Sequence, residues 1–287
     1  MKRFVILPNV SKDNQLSTSR LIIDWLERHH CQVYLPEDVA CQLNKETYGL
    51  KGKALYEHAD CAIVLGGDGT ILYTARQIAA YDLPILGVNL GNLGFLAEVE
   101  KKDAIVTLKK IIDGDYYIQK RMMLNVSKTM TNQEEKVGLA LNDIVIARSS
   151  ISRMMKYSLC VNEGHVNDYS ADGLIVSTPT GSTAYNLSAG GPILDPANEM
   201  MVITPICPHT LMSRSIVLSQ NDEVRISLKD NRKSWNKDII LTIDGQENFK
   251  IDQEDEIIVS KSEHSAQLIT CNKNGFYRIL KKKLGNR

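Results

Sequence analysis

Short apolar runs alternate with amphipathic stretches along the first 115 residues. Residues 4–7 (FVIL) predict a strand, Leu16, Leu21, Ile22, Trp25 and Leu26 keep helical spacing, and residues 32–35 predict a second strand. A less regular segment, broken at Pro36, Gly49 and Gly52, leads into the apolar run 62–65. That run ends in Gly66, Gly67, Asp68, Gly69 and Thr70, after which a helical pattern covers 71–80. Pro84 precedes a strand at 85–88, a second glycine cluster follows (NLGNLGFL, 89–96), and a helix over 103–112 stops at Gly114 and Asp115. Strand and helix in alternation predict a parallel sheet with helices on its faces, and in such sheets ligands bind at the carboxyl ends of the strands.

Beyond residue 115 the texture changes. Apolar and β-branched runs at 116–123, 124–130, 137–141, 144–147, 157–161, 174–177, 202–206, 223–228, 239–243, 257–259 and 267–270 are separated by polar turns such as 131–134. This half reads as mostly β, with one helix-like segment at 183–189. The stretch 276–284 ends in Lys281, Lys282 and Lys283 and reads as a solvated terminus.

Composition narrows the class. A chain of 287 residues accommodates two ordinary domains. Its 34 Lys and Arg balance 34 Asp and Glu, so overall charge points to neither nucleic acid nor an anionic membrane. No apolar run approaches the roughly 18–20 residues that span a bilayer, and Pro8 and Asn9 cut short the apolar start. Six scattered cysteines form no C-x-x-C pair and read as buried thiols of a reducing cytoplasm.

The glycine turn at 66–70 carries the first candidate chemistry. Glycines let a ligand approach the backbone, and the helix start offers unpaired N–H groups to a phosphate. Asp68 is the exception among them. It either caps the helix or meets a proton or a metal. A second candidate lies at 172–193, DGLIVSTPTGSTAYNLSAGGPI, where small residues allow close approach and hydroxyls supply polar contacts.

Taken together, GGDGT (66–70), NLGNLGFL (89–96), LND (141–143), the 172–193 segment, PHTL (208–211) and DGQ (244–246) closely resemble the bacterial NAD kinases over nearly the whole chain. GGDGT alone is shared with lipid and sugar-phosphate kinases, whereas STPTGSTAY discriminates. The resemblance implies an α/β, Rossmann-like N-terminal domain (1–115) and an all-β C-terminal domain (116–271), to the first of which a tail (272–287) can return. It implies a dinucleotide bound between the domains and ATP-dependent phosphorylation of NAD at the 2′-hydroxyl of its adenosine ribose, giving NADP and ADP. A divalent metal, magnesium, travels with the nucleotide phosphates, and the enzyme is a cytoplasmic homodimer or homotetramer.

Residue by residue, the resemblance makes Asp68 the catalytic base and Gly69 a phosphate contact. Asn142 and Asp143 hold ribose hydroxyls, Asp143 standing where most relatives carry Glu. Asp172 accepts from an amide or amino group of the dinucleotide. Thr183, Ala184, Tyr185 and Ser188 line the adenosine pocket, and Asp244 and Gln246 approach the same cleft. Arg153 is the basic contact, ranked above Arg121, Arg148, Lys156 and Arg214. Ser170 replaces a frequent arginine, which bears on discrimination between NAD and NADH. His209 is expected to be a core histidine. The competing readings are a diacylglycerol- or sphingosine-type lipid kinase and a non-catalytic dinucleotide sensor.

Overall fold

The computed structural model describes residues 1–130, 133–149, 154–209, 213–229, 239–272 and 275–285. Two compact units divide the chain, Met1–Lys120 with Ala266–Arg287, and Arg121–Ser265.

In the first unit, strands Ile85–Asn89, Cys61–Gly66, Arg3–Pro8 and Gln32–Pro36 lie side by side in that order, all parallel. Strand Glu256–Thr270 delivers its last residues to the other flank of Ile85–Asn89, with Leu268 opposite Ile85. Every residue of Cys61–Gly66 and Ile85–Asn89 is buried. A parallel strand covered on both faces needs a continuous apolar run, which is why these two were legible as unbroken blocks. Ile22, Ile23 and Leu26 of helix Ser17–Arg28 and Ala104, Leu108 and Ile111 of helix Ala104–Asp113 pack in one cluster with Phe4, Ile6, Ile63, Leu65, Leu86 and Val88.

Three expectations change here. Leu21, expected on the buried face, is 47% exposed, because the buried stripe runs through Thr18, Ser19, Ile22, Ile23 and Leu26. The segment after Pro36 is not irregular, since it contains helices Glu37–Leu43 and Ala54–Glu57, both too short to show a period. Residues 276–284 belong to helix Gly275–Leu284, which exposes its lysines but buries Ile279.

In the second unit one antiparallel sheet runs Ile216–Ser219, Met200–Ile206, Gly173–Ser177, Asp143–Arg148, Ile239–Ile243, Glu247–Lys250. A second antiparallel set joins Gly164–Ala171, Met155–Val161, Val224–Leu228 and the first residues of Glu256–Thr270. Strand Tyr117–Met130, expected as two, forms a hairpin with Gln133–Ala140. Ile144, Ile146, Leu174 and Val176 from the first sheet share a core with Tyr157, Leu159, Ile226 and Val259 from the second, the packing of a sandwich. The helix expected at 183–189 is interrupted. A 3₁₀ turn at Gly181–Thr183 and a short helix at Tyr185–Ser188 are separated by Ala184, whose φ of −98° and ψ of −128° are not helical.

The cysteines also differ from expectation. All are free thiols, but only Cys31 and Cys61 are buried; Cys41 and Cys207 are exposed, and Cys160 and Cys271 lie between. Among the described residues no helix is long and apolar enough to cross a membrane.

Candidate active site

The glycine turn sits where the buried strand Cys61–Gly66 passes into helix Asp68–Ile78 through Gly67. Gly66 is required by space, because a Cβ there would overlap the Thr70 side chain, whose hydroxyl oxygen accepts a bond from Asn9 Nδ2 at 3.3 Å. Asp68 does not cap its own helix. Its carboxylate reaches across to the second glycine loop and accepts three consecutive backbone N–H groups: Phe95 on Oδ2 at 2.8 Å, and Leu96 and Ala97 on Oδ1, both at 3.1 Å. Gly94 is part of the same fit, since a Cβ there would overlap the Asp68 carboxylate. A carboxylate offers about four lone-pair sites. Three are filled by these N–H groups, and one remains.

The second unit repeats the device. Asp244 begins the turn between Ile239–Ile243 and Glu247–Lys250, with φ of +52° followed by Gly245 at +66°. Two residues of positive φ match the twist of a tight hairpin, and Asp tolerates that conformation better than most residues. So placed, its carboxylate accepts the N–H groups of Leu141 at 3.0 Å, Asn142 at 2.7 Å and Asp143 at 3.2 Å. The LND stretch is therefore fixed by its backbone. Its side chains are left for other work, and Asn142 and Asp143 have no side-chain hydrogen-bond partner among the described residues. Asp143 is only 4% exposed, and its carboxyl is pushed up to about 7, first by burial and then by the charge of Asp244.

The segment after strand Gly173–Ser177 folds back onto this loop. Thr178 donates its N–H to the Asn142 carbonyl at 2.9 Å and its hydroxyl to the Leu141 carbonyl at 2.6 Å. A Cβ at Gly181 would overlap Asn142, so glycine is needed for the approach. Asn186, fully buried, anchors the rest: Nδ2 donates to the Ser182 and Pro192 carbonyls at 3.2 and 3.0 Å, and Oδ1 accepts from the Thr204 hydroxyl at 2.7 Å. Around this anchor Thr183 and Ala184 are half-buried while Tyr185 and Ser188 are exposed.

At the far end of the same strand, Asp172 faces Arg148, whose Nη2 lies 2.6 Å from Oδ1. The two meet because Arg148 ends the neighbouring antiparallel strand, where Ala147 is opposite Gly173.

Two family models cover this architecture: the ATP-NAD kinase N-terminal domain matches residues 4–116 and the C-terminal domain matches 141–271. The chain belongs to the ATP-NAD kinase family. Its activity is that of the family, phosphorylation of NAD. Curated relatives agree at full length. The NAD kinase of Caldanaerobacter subterraneus subsp. tengcongensis is 45% identical over 287 residues, covering 100% of both chains, and that of Natranaerobius thermophilus is 39% identical, covering 99% of this chain and 98% of its own. Among solved structures, an NAD kinase from Archaeoglobus fulgidus in complex with ATP superposes with a TM-score of 0.75 at 26% identity, covering 98% of each chain. Yeast NADH kinase complexed with NADH has a TM-score of 0.89 at 24% identity, covering 100% of this chain and 88% of its own, a likeness of fold.

Within the kinase, the expected residues separate by what their side chains have left to offer. Gly69 is exposed in the first turn of its helix, and Gln246 is exposed in the DGQ turn. Asp244 is buried, and its carboxylate is occupied by the LND backbone, so it holds residues 141–143 in place. Ser170 is half-buried and directs its hydroxyl at Met154 Sδ, 3.8 Å away. His209 is exposed and not a core histidine; its N–H donates to the Ser170 carbonyl at 2.8 Å. Arg153, with Thr210 and Leu211 of PHTL, lies outside the described residues. Arg148, ranked below Arg153 from the sequence, is the arginine that meets Asp172. Asn186 was not singled out at all, although its place between Tyr185 and Ser188 and a glycine five residues on, Gly191, where a Cβ would overlap it, were visible as spacing.

Proposed function

We propose that this kinase transfers the γ-phosphoryl group of ATP to the 2′-hydroxyl of the adenosine ribose of NAD, with Asp68 taking the hydroxyl proton. The observation that supports this most directly is the Asp68 carboxylate, held immobile by three N–H groups with one acceptor site unfilled. An alcohol is a weak nucleophile at neutral pH, so fixed geometry matters more than intrinsic basicity in a loose phosphoryl transfer. As the ribose oxygen bonds to phosphorus, the bond from phosphorus to the ADP oxygen breaks and the hydroxyl proton passes to Asp68. Asn142 and Asp143 supply amide and carboxyl groups to ribose hydroxyls from a loop rigid in its backbone. Asp172, oriented by Arg148, accepts from the dinucleotide, while Thr183, Ala184, Tyr185 and Ser188 border its adenosine, Gly69 adjoins phosphate, and Gln246 adds a polar contact.

ATP as the donor is supported by the archaeal relative, whose structure holds ATP. Among the described residues no group of three His, Cys, Asp or Glu could hold a metal ion. The divalent cation, magnesium, is therefore assigned to the nucleotide phosphates, where it would neutralise charge, a common arrangement for this ion. Cytoplasmic residence and a homodimeric or homotetrameric state complete the proposal, the first supported by six free thiols.

The decisive assay incubates the purified chain with ATP, magnesium and NAD and follows NADP with an NADP-specific dehydrogenase. NADP formation is expected. Dinucleotide binding without NADP would make the chain a sensor, and label from ATP entering a lipid but not NAD would make it a lipid kinase.

A further inference from the structure

Helix Asp68–Ile78 carries a stripe that the dinucleotide reading leaves unused. Thr70, Tyr73, Thr74 and Gln77 stand at i, i+3, i+4 and i+7, so they share one face of the helix. Tyr73 and Gln77 of the stripe are exposed and Thr74 is buried, so the stripe runs along the margin between the helix's core face and its outer face. Here it walls a cleft of about 350 Å³, inside the roughly 300–1,000 Å³ usual for small-molecule sites. Buried Val39 and Leu55 contribute an apolar floor. Tyr56 forms a further wall and is braced from behind by the Tyr81 ring, with centroids 5.3 Å apart.

Thr70 already accepts a bond from Asn9, but three other polar side chains of this cleft are uncommitted. Thr74 is 4% exposed, yet its hydroxyl has no hydrogen-bond partner among the described residues, and the same holds for the side chains of Asp38 and Gln77. An apolar floor with aromatic walls and a few unpartnered polar groups is the composition of a site for a flat, nitrogen-rich ring. The cleft also opens at the carboxyl ends of Arg3–Pro8 and Gln32–Pro36, through Leu7, Pro8 and Pro36. This is the edge of a parallel sheet where ligands gather.

One end of the stripe is Thr70, two residues from Asp68, and the other is Gln77, about 10 Å along the helix. Beside the first end, Lys12 Nζ lies 3.4 Å from the point where a side chain on Gly67 would begin, and this ammonium has no ion-pair partner among the described residues. A cation stands over the glycine turn while an aromatic slot lies further along the same helix. That order matches a nucleoside triphosphate whose phosphates lie at the turn and whose base lies beyond them.

We propose that this cleft is the donor subsite, holding the adenine and ribose of ATP between Tyr56 and the stripe of helix Asp68–Ile78, with the phosphates led under Lys12 to the glycine turn. Asp38 and Gln77 read the base: a carboxylate accepts from the N6 amino group, and a side-chain amide serves ring nitrogens. The proposal rests on ATP being the donor.

Steady-state kinetics of the full chain test it through three substitutions. Tyr56→Ala removes the stacking wall and is expected to raise KM for ATP about tenfold or more, leaving KM for NAD within about twofold. Asp38→Asn exchanges an acceptor for an amide, and the ratio of kcat/KM for ATP to that for GTP is expected to fall about tenfold, an effect that a merely structural change would not produce. Gln77→Ala, at an exposed position, is expected to raise KM for ATP severalfold with an unchanged melting temperature. If all three variants keep the wild-type KM for ATP and the wild-type ratio of ATP to GTP use, the cleft is not the donor subsite. Equal rises in KM for both ATP and NAD would also overturn it, by assigning the effect to folding. Wild-type enzyme unable to use ATP would remove the premise, and that result is visible before any variant is made.

Discussion

Replacing Asp68 by Asn separates two roles that one carboxylate now combines. Asn preserves shape but offers a single acceptor oxygen. If that oxygen takes the place of Oδ1, Leu96 and Ala97 keep their bonds, and the new NH₂ group faces the Phe95 N–H across what was a 2.8 Å contact. An N–H left without an acceptor at half-buried Phe95 costs about 1–2 kcal/mol, the lower part of the range for buried groups, and two bonds reduced from charge-assisted to neutral lose about 1 kcal/mol each. The loop is thus loosened by about 3–4 kcal/mol, or two to three orders of magnitude in its opening equilibrium. Loss of the base removes a further ~10²–10⁴ from turnover. Hydrogen exchange read at the amides of 95–97, beside kcat for NADP formation, distinguishes the two. Faster exchange together with lost turnover is the expected result. Wild-type protection at all three amides would refute the clasp, and a loosened loop with turnover within a few-fold of wild type would refute the base.

Two further outcomes follow from the same geometry. Gly94→Ala places a methyl group against the Asp68 carboxylate and is expected to lower kcat/KM by about 10², as misplacement of a reacting group by an ångström can do, with the melting temperature nearly unchanged; activity within twofold of wild type would show that the loop has slack. Asp143 is held near 7, above its usual carboxylate value, so the folded state binds the proton more tightly than the unfolded chain. That stabilisation is complete below about pH 4 and is lost as pH rises towards 7. Asp143→Asn, which cannot ionise, is therefore expected to be more stable than wild type at pH 8 and to lose the decline between pH 4 and 7, as checked by urea midpoints at several pH values; parallel curves for the two proteins would contradict it.

The elements that carry these groups were legible because burial on both faces of a parallel strand writes an unbroken apolar run, as at 62–65 and 85–88. The motifs located the loops, since glycine is demanded wherever a backbone or carboxylate must come close, as at Gly66, Gly94 and Gly181. What each carboxylate does was not legible. Asp68 bonds residues 27 to 29 positions away and Asp244 bonds residues 101 to 103 positions away, and no local pattern encodes an acceptor's distant donors. The meeting of Arg148 with Asp172 was hidden for a related reason: it depends on strand register, which is set by side chains elsewhere in the sandwich. Helices such as Glu37–Leu43 were missed because fewer than two turns cannot establish a period.

The helix Gly275–Leu284 gives the timing of assembly a bearing on activity. Phe276 packs on Phe95 with ring centroids 6.1 Å apart, and Lys283 Nζ stands 4.9 Å from the Phe95 ring centre. The residue whose N–H grips Asp68 is therefore braced by a helix that is synthesised long after it. At roughly 5–20 residues per second, on the order of ten seconds separates synthesis of Phe95 from synthesis of its brace. A nascent chain therefore carries the GGDGT and NLGNLGFL loops well before the helix that braces Phe95 exists.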